Sequence, residues 1–211
     1  MSVQDLILKH QSPVQVFAPG MIFDLSFSTT GVFDATGKCS VVRNGGQIVT
    51  APTPKRGSGS YSQTGVAGTG LVISGAEPLD PYYDVYTIQS WVIPKSSSAQ
   101  LHVCSPLGAN TYFLRWFNQW YSGNNNGYIL NVNMPLTVDV PVHMAMSSDG
   151  TNCRMYINGM LYLSSSGKML SETITTWEVG SFQSASLSNT AILQSLSVEK
   201  GRAQSTNFTP I

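Results

Sequence analysis

Short runs of alternating apolar and polar residues, broken by turn signals every ~8–15 residues, extend along almost the whole chain. Alternation with period two sends successive side chains to opposite faces of a strand, so each run predicts a strand with one face toward a core. Asn44-Gly45-Gly46 separates Ser40-Val41-Val42-Arg43 from Gln47-Ile48-Val49-Thr50. Asp149-Gly150 separates His143-Met144-Ala145-Met146 from Cys153-Arg154-Met155-Tyr156-Ile157, and Asn158-Gly159 turns the chain again into Met160-Leu161-Tyr162-Leu163. Glycine after Asn or Asp takes the positive φ of a tight turn, so these three sites predict β-hairpins. Further strands are expected over residues 21–27, 70–73, 83–93, 100–104, 111–116, 128–132, 177–180 and 192–199. In Tyr86-Thr87-Ile88-Gln89-Ser90-Trp91-Val92-Ile93 large side chains fall on both faces, which predicts a strand covered on both sides. Residues 50–63 are rich in Pro, Gly and Ser and are expected to form a loop inside the domain. Residues 2–9 suit either a short helix, capped by Ser2 and Asp5, or an extended arm. The pattern as a whole predicts an all-β fold, a sandwich or a barrel.

Composition sharpens this picture. A chain of 211 residues is long enough to bury a large core without cross-links. Only 10% of its residues are charged, and 11 basic residues balance 11 acidic ones. Solubility therefore rests on Ser, Thr, Asn, Gln and Gly, and there is no net field to recruit nucleic acid or an anionic membrane. No apolar stretch approaches the ~18 residues of a membrane-spanning helix, and the first residues lack the pattern of a secretion signal. Cys39, Cys104 and Cys153 are odd in number and have no metal-ligand spacing, so three free, buried thiols are expected. That fits folding in a reducing cytoplasm.

The order of segments resembles the concanavalin A-like lectin/glucanase superfamily, in the laminin G-like form found in bacteriophage structural proteins. The resemblance is carried by Asp24-Leu25-Ser26-Phe27, Gly37-Lys38-Cys39-Ser40-Val41, Gly45-Gly46-Gln47-Ile48-Val49 and Lys55-Arg56-Gly57-Ser58-Gly59-Ser60. It continues in Tyr86 to Pro94, in His143-Met144-Ala145-Met146 with Arg154-Met155-Tyr156-Ile157-Asn158-Gly159, and in Val179-Gly180. The closing pieces, Val198-Glu199-Lys200-Gly201-Arg202-Ala203 and Asn207-Phe208-Thr209-Pro210, are the most specific and point toward phage particles. Two departures stand out: Pro141-Val142 where the family has an aromatic residue before the His, and Gln194-Ser195 where it has an acid. The resemblance implies an all-β, antiparallel two-sheet β-sandwich of jelly-roll type over residues 21–211, with residues 1–20 as an N-terminal arm. It also implies scaffold roles for the matching residues, with Trp91 and Tyr156 packed between the sheets and His143 hydrogen-bonded in a core strand.

Candidate chemistry is sparse. Glycosidases need two carboxylates across the scissile bond, yet no expected strand carries two acids at i and i+2. The densest acidic group, Glu77, Asp80 and Asp84, lies in a Pro-broken stretch expected to be a solvated loop. His10, His102 and His143 have no nucleophile pattern beside them, so no enzyme is expected. No cofactor is implied. Calcium is conceivable through Asp34, Asp139 and Asp149, although Asp149 is already explained by its turn. One segment has the chemistry of a ligand site: Trp116, Asn118, Gln119, Trp120, Tyr121 and Asn124 combine aromatic faces for sugar C–H groups with amides for hydroxyls. Three readings of it stand: core and edge of a hairpin, a protein contact, or a glycan site. Leu6, Ile7, Leu8, Val16 and Phe17 form an apolar arm suited to an assembly contact. The function implied is a non-enzymatic virion structural protein, a capsid decoration or head or tail accessory subunit exposed on the particle. The alternative is a receptor-binding adhesin recognising host glycans. The partners implied are other virion proteins or copies of this chain, with glycans under the alternative, and neither nucleic acid nor membrane.

Overall fold

The structure, a computed structural model, describes residues 19–63, 69–96, 101–108, 111–116, 120–124, 127–133, 137–182, 187–188 and 191–210. Among them every regular element is a β-strand. One sheet contains β1 (Met21–Ser28), β2 (Gly31–Asp34), β4 (Gln47–Val49), β5 (Ser60–Ser62), β7 (Tyr86–Pro94), β12 (Val142–Ser148), β13 (Cys153–Ile157), β14 (Met160–Ser165) and β18 (Ala191–Lys200). Its order is β14-β13-β12-β7-β18-β1-β2, with β5 continuing the line of β1 along β18 and β4 paired outside β5. The second sheet contains β3 (Ser40–Asn44), β6 (Gly70–Leu79), β8 (Leu101–Pro106), β9 (Thr111–Trp116), β10 (Trp120–Asn124), β11 (Gly127–Val132) and β15 (Ile174–Val179). Its order is β11-β10-β9-β8-β15-β6-β3. A small ladder joins β16 (Ser181–Phe182) to β17 (Leu187–Ser188). All pairings among the described residues are antiparallel, and of the sandwich and barrel left open by the alternation the molecule is the two-sheet sandwich that the resemblance implies.

Aromatic residues tie the sheets together. Phe23 of β1 meets Trp177 of β15 edge-on at 5.6 Å, Trp177 meets Phe113 of β9 at 5.6 Å, and Phe113 meets Tyr86 of β7 at 6.0 Å. Leu25, Ile88, Met144, Met155, Leu196 and Val198 fill the space around this chain of rings. Each ring buried here removes a large apolar area from water and adds edge-to-face attraction. Cys104 and Cys153 lie in this core and Cys39 is half-buried; all three are free thiols. Burial pushes the Cys39 thiol to about 11 and Cys104 higher still, so neither is a thiolate at neutral pH.

A second layer covers the outer face of the first sheet. β7 and β18 are buried almost throughout their length, as the large residues on both faces of β7 predict. Residues 50–59 cover one part of this face. Arg56 makes two 2.6 Å hydrogen bonds to the buried Asp24 carboxylate, Gln194 donates to the Thr53 carbonyl at 3.1 Å, and the Lys55 ammonium stands 4.7 Å from the Trp91 ring. The chain after β18 covers the rest. Thr87 donates to the Arg202 carbonyl at 2.9 Å, the Gln204 N–H donates to Ser147 at 2.8 Å, and the Tyr156 hydroxyl donates to the Gln204 carbonyl at 2.7 Å. The Phe208 ring then packs on Tyr156 at 5.2 Å and on His143 at 5.8 Å.

The closing fragment and the Asn158-Gly159 hairpin therefore meet in space. The Phe208 N–H donates to the Gly159 carbonyl at 2.9 Å, and the Leu161 N–H donates to the Asn207 side chain at 2.8 Å. A β-carbon on Gly159, where φ is +78°, would stand 1.9 Å from the Phe208 carbonyl oxygen, so only glycine admits the tail. Asn158 completes the joint by accepting the His143 N–H at 2.9 Å.

Several expectations are corrected by this layering. Asn44-Gly45-Gly46 is not a hairpin: β3 pairs with β6 and β4 with β5, so the turn hands the chain from one sheet to the other. Gly46 is required because a β-carbon there would meet the Tyr61 ring at 2.4 Å. Trp91 and Tyr156 do not pack between the sheets but on the outer face, beneath Lys55 and the tail. His143 is buried without a hydrogen bond at either ring nitrogen, held instead between Trp91 and Phe208. Burial alone lowers its pKa to about 4. At Gln194-Ser195 the register of β18 on β7 shifts, and the Ser195 hydroxyl takes over the Trp91 N–H at 3.1 Å. Residues 50–63 include the short strand β5, and β7 starts at Tyr86 rather than Tyr83.

Candidate functional site

The aromatic segment falls on the hairpin of β9 and β10 beside the edge strand β11. Trp116 and Trp120 occupy directly opposed register positions, and Trp120 is also opposed to Val132. Tyr121 is flanked by Arg115 and Asn131, and Asn124 by Thr111 and Gly127. Asn118 and Gln119 lie outside the described residues, as do Leu6, Ile7, Leu8, Val16 and Phe17 of the proposed assembly arm. The ladder slips between Tyr121 and Gly123. There Leu114 takes φ +50°, and its N–H is donated to the Ser122 hydroxyl at 3.2 Å. Such a bulge bends and twists an edge and re-aims the positions beside it. Arg115 stands 5.2 Å from the Tyr112 ring, and its register partner His102 is buried. Burial, with Arg115 adding to it, holds His102 well below its ordinary pKa, so it is neutral and gives no general acid at neutral pH.

The carboxylates named in the sequence are spread over the fold. Asp34 accepts the N–H groups of Asp24, Thr36, Lys38 and Cys39 and the Thr36 hydroxyl, which fixes the turn after β2. Burial pushes its pKa up, but these donors win and hold it below its ordinary value. Asp139 pairs with Lys95. Asp149 accepts from Asn152 at 2.7 Å and Thr151 at 2.9 Å and pairs with Arg154 at 2.7 Å, and the Asn152 contact is the largest cause holding it at about 2. Asp34, Asp139 and Asp149 are thus engaged separately, and the described residues contain no group of three His, Cys, Asp or Glu fit to hold a metal ion. Glu77 belongs to strand β6, leaving Asp80 and Asp84 as the acids of the turn that follows.

That turn holds residues the sequence reading passed over. Asp80 accepts the Tyr83 and Asp84 N–H groups at its carbonyl and the Tyr82 N–H at its carboxylate; Asp84 accepts the Asp80 N–H in return. Pro81 is buried beneath it. The Tyr82 and Tyr83 rings meet edge-on at 4.7 Å, and the Lys168 ammonium stands 4.5 Å from the Tyr82 ring. Tyr83 is 70% exposed, the most exposed large apolar side chain among the described residues. The signal was available in Asp80-Pro81-Tyr82-Tyr83-Asp84, an Asp-Pro turn carrying two adjacent aromatics.

A family model described as the concanavalin A-like lectin/glucanases superfamily matches residues 66–186, more than half of the chain. The chain belongs to the concanavalin A-like lectin/glucanases superfamily. No curated protein matches its sequence. Among solved structures, this superfamily member is similar to the binding domain of botulinum neurotoxin serotype D, at 12% identity and a TM-score of 0.66, over 88% of this chain and 49% of that one. It is similar to the binding domain of Paraclostridial Mosquitocidal Protein 1, at 15% identity and a TM-score of 0.67, over 88% of this chain and 50% of that one. The chain thus spans about half the length of these toxin domains. Domain 4 of AbnA, an extracellular arabinanase of Geobacillus stearothermophilus solved with arabinotriose, is similar at 14% identity and a TM-score of 0.63, over 87% of this chain and 94% of that domain. At these identities the likeness shows the fold.

Proposed function

We propose that this chain is a non-catalytic glycan-binding module acting as an adhesin. The observation that carries the reading is the hairpin of β9 and β10, where Trp116 and Trp120 are register partners and Tyr121 follows beside the sheet edge. Cross-strand partners such as the Trp116 and Trp120 positions share one face of their strand pair, which suits a shallow surface on which sugar C–H faces stack. Similarity to toxin binding domains and to an arabinanase domain solved with arabinotriose supports a binding role. The non-catalytic part is supported by the fixed state of the carboxylates of Asp24, Asp34, Asp84 and Asp149, each held by a cation or by several donors. A glycosidase instead needs two carboxyl groups facing one bond. A glycan array tests the reading: wild type binds at least one glycan class, and Trp120→Ala weakens that binding. An array without signal, or release of reducing ends from a bound polysaccharide, overturns it.

A second reading places the chain in a bacteriophage particle, as a capsid decoration or a head or tail accessory subunit folded in the host cytoplasm. It is supported by the resemblance of residues 198–203 and 207–210 to phage proteins. It is also supported by the edge strand β14, which exposes Met160, Leu161 and Tyr162. Deleting residues 2–18, the apolar arm, should then abolish incorporation into particles, and unchanged incorporation would overturn that assignment of the contact.

A further inference from the structure

The turn between β6 and β7 is built unlike an ordinary surface loop. Its most exposed side chain is a large aromatic one, while everything beneath that side chain is fixed. The turn closes on itself through Asp80 and Asp84, as described above. It is also fastened to two other parts of the fold. Lys200, the last residue of β18, donates to the Pro78 carbonyl at 2.8 Å and pairs with Asp84 at 3.0 Å. Ser171, in the connection from β14 to β15, donates to the second Asp80 oxygen at 2.8 Å. That same connection supplies Lys168 to the Tyr82 ring and sinks Met169 into the core. Tyr83 is therefore presented by a braced turn, with Tyr82 set edge-on against it.

We propose that this turn is a second carbohydrate-contact surface, with Tyr83 as the stacking face and Lys168, Ser171 and the Asp80 carboxylate as polar groups around it, selective for neutral oligosaccharides. The inference rests on the glycan-binding reading given above and adds to it a separate site and a ligand class. An exposed phenol ring matches the apolar face of a pyranose or furanose, and a fixed ring loses little freedom on binding. Neighbouring hydroxyl, ammonium and carboxylate groups provide both donors and acceptors for sugar hydroxyls. Charge decides the class. Asp84 is paired with Lys200, and the neighbouring turn at Gly150, whose β-carbon position lies 3.7 Å from the Tyr83 carbonyl, brings Asp149 already paired with Arg154. Asp80 and Lys168 balance each other, so nothing here favours an acidic sugar over a neutral one. The site is also apart from the first. The turn leads into the start of β7, whereas Trp116 pairs with Leu101 at the start of β8, which the chain reaches from the end of β7. Two separate surfaces allow a single chain to hold two points of a polysaccharide and gain avidity.

Calorimetric titration of the full chain tests this. The probes are neutral arabino-, gluco-, manno- and chito-oligosaccharides of three to six units and, as an acidic control, oligogalacturonates. The variants are Tyr83→Ala, Tyr83→Phe, Trp120→Ala and the double variant Tyr83→Ala/Trp120→Ala, each checked by thermal melting. The expected result is at least a ten-fold loss of affinity, or loss of one site per chain, in Tyr83→Ala for a neutral probe, with an unchanged melting midpoint and binding retained in Tyr83→Phe. Residual binding in Trp120→Ala that disappears in the double variant supports the same conclusion. If Tyr83→Ala binds as wild type while Trp120→Ala does not, the second site is overturned and the glycan reading stands. Wild type binding only the acidic control overturns the ligand class, and wild type binding no probe overturns both readings.

Discussion

Two clusters of aromatic residues in this molecule have opposite fates. On the outer face of the first sheet, Trp91, His143, Tyr156 and Phe208 are drawn together and roofed by residues 50–59 and by the tail after β18. At the turn before β7, Tyr82 and Tyr83 are drawn together just as closely, yet Tyr83 is left 70% exposed above a braced backbone. The first cluster is part of what keeps the fold together. The second leaves Tyr83 open to solvent. The difference lies in the neighbouring chain: a roof arrives over one cluster because Gly159 lets the tail pass and Arg56 anchors the loop, whereas at the other Lys168 reaches Tyr82 and Tyr83 stays open to solvent.

Breaking the roof should have the largest effect. Arg56→Met strands the Asp24 carboxylate, which is 2% exposed and whose pKa burial already raises against the opposing pull of Arg56. Removing one partner of a buried pair costs about 3–5 kcal/mol, so denaturant unfolding should show a loss of that size. A wild-type midpoint would mean that the loop does not hold this face.

Acid should loosen the same layer almost as much. His143 is neutral in the fold, with a pKa of about 4 against an ordinary 6.5. Above pH 6.5 neither state binds the proton. Between pH 6.5 and 4 the unfolded chain takes it up while the folded chain does not, so stability falls, by about 3 kcal/mol once pH is below 4. His143→Phe should flatten this slope in part, because buried His102, also held well below its ordinary value, keeps a slope of its own. An unaltered slope in that variant would show that His143 is not sealed by Phe208.

Smaller changes sharpen the contrast. Tyr156→Phe removes the hydrogen bond to the Gln204 carbonyl and should cost about 1 kcal/mol, lowering the melting midpoint by about 2–4 °C. Tyr83→Ala should cost under about 0.5 kcal/mol, as an exposed substitution does. A larger loss there would make the turn a stability element rather than a platform.

How much of this could be read from the sequence depends on whether a feature is local. Asp149-Gly150 and Asn158-Gly159 announced their hairpins, because positive φ and a strand on each side are written into the neighbouring residues. Asn44-Gly45-Gly46 carries the same chemistry but says nothing about partners, and β3 and β4 pair with strands that are distant in sequence. The closing fragment was recognisable without its purpose being visible: Phe208 and Gly159 are 49 positions apart, and only folding makes one the reason for the other. Trp91 and Tyr156 were legible as large residues on strands, but alternation cannot tell which side of the sheet is the core. The candidate site was legible as chemistry at Trp116, Trp120 and Tyr121, which do fall on one strand pair. Tyr82 and Tyr83 were hidden because β-favouring residues before a strong strand read as its first turn of alternation, although the Asp-Pro pair marks a break.

Amide chemical-shift mapping by NMR, during titration with a bound neutral oligosaccharide, tests the division between roofed and open aromatics most directly. The expected result is perturbation confined to residues 80–85 with the neighbouring turn at 149–151, and to the hairpin of β9 and β10, while Thr87, His143, Tyr156, Gly159 and Phe208 stay unmoved. Shifts centred on the outer face of the first sheet, with residues 80–85 silent, would contradict it.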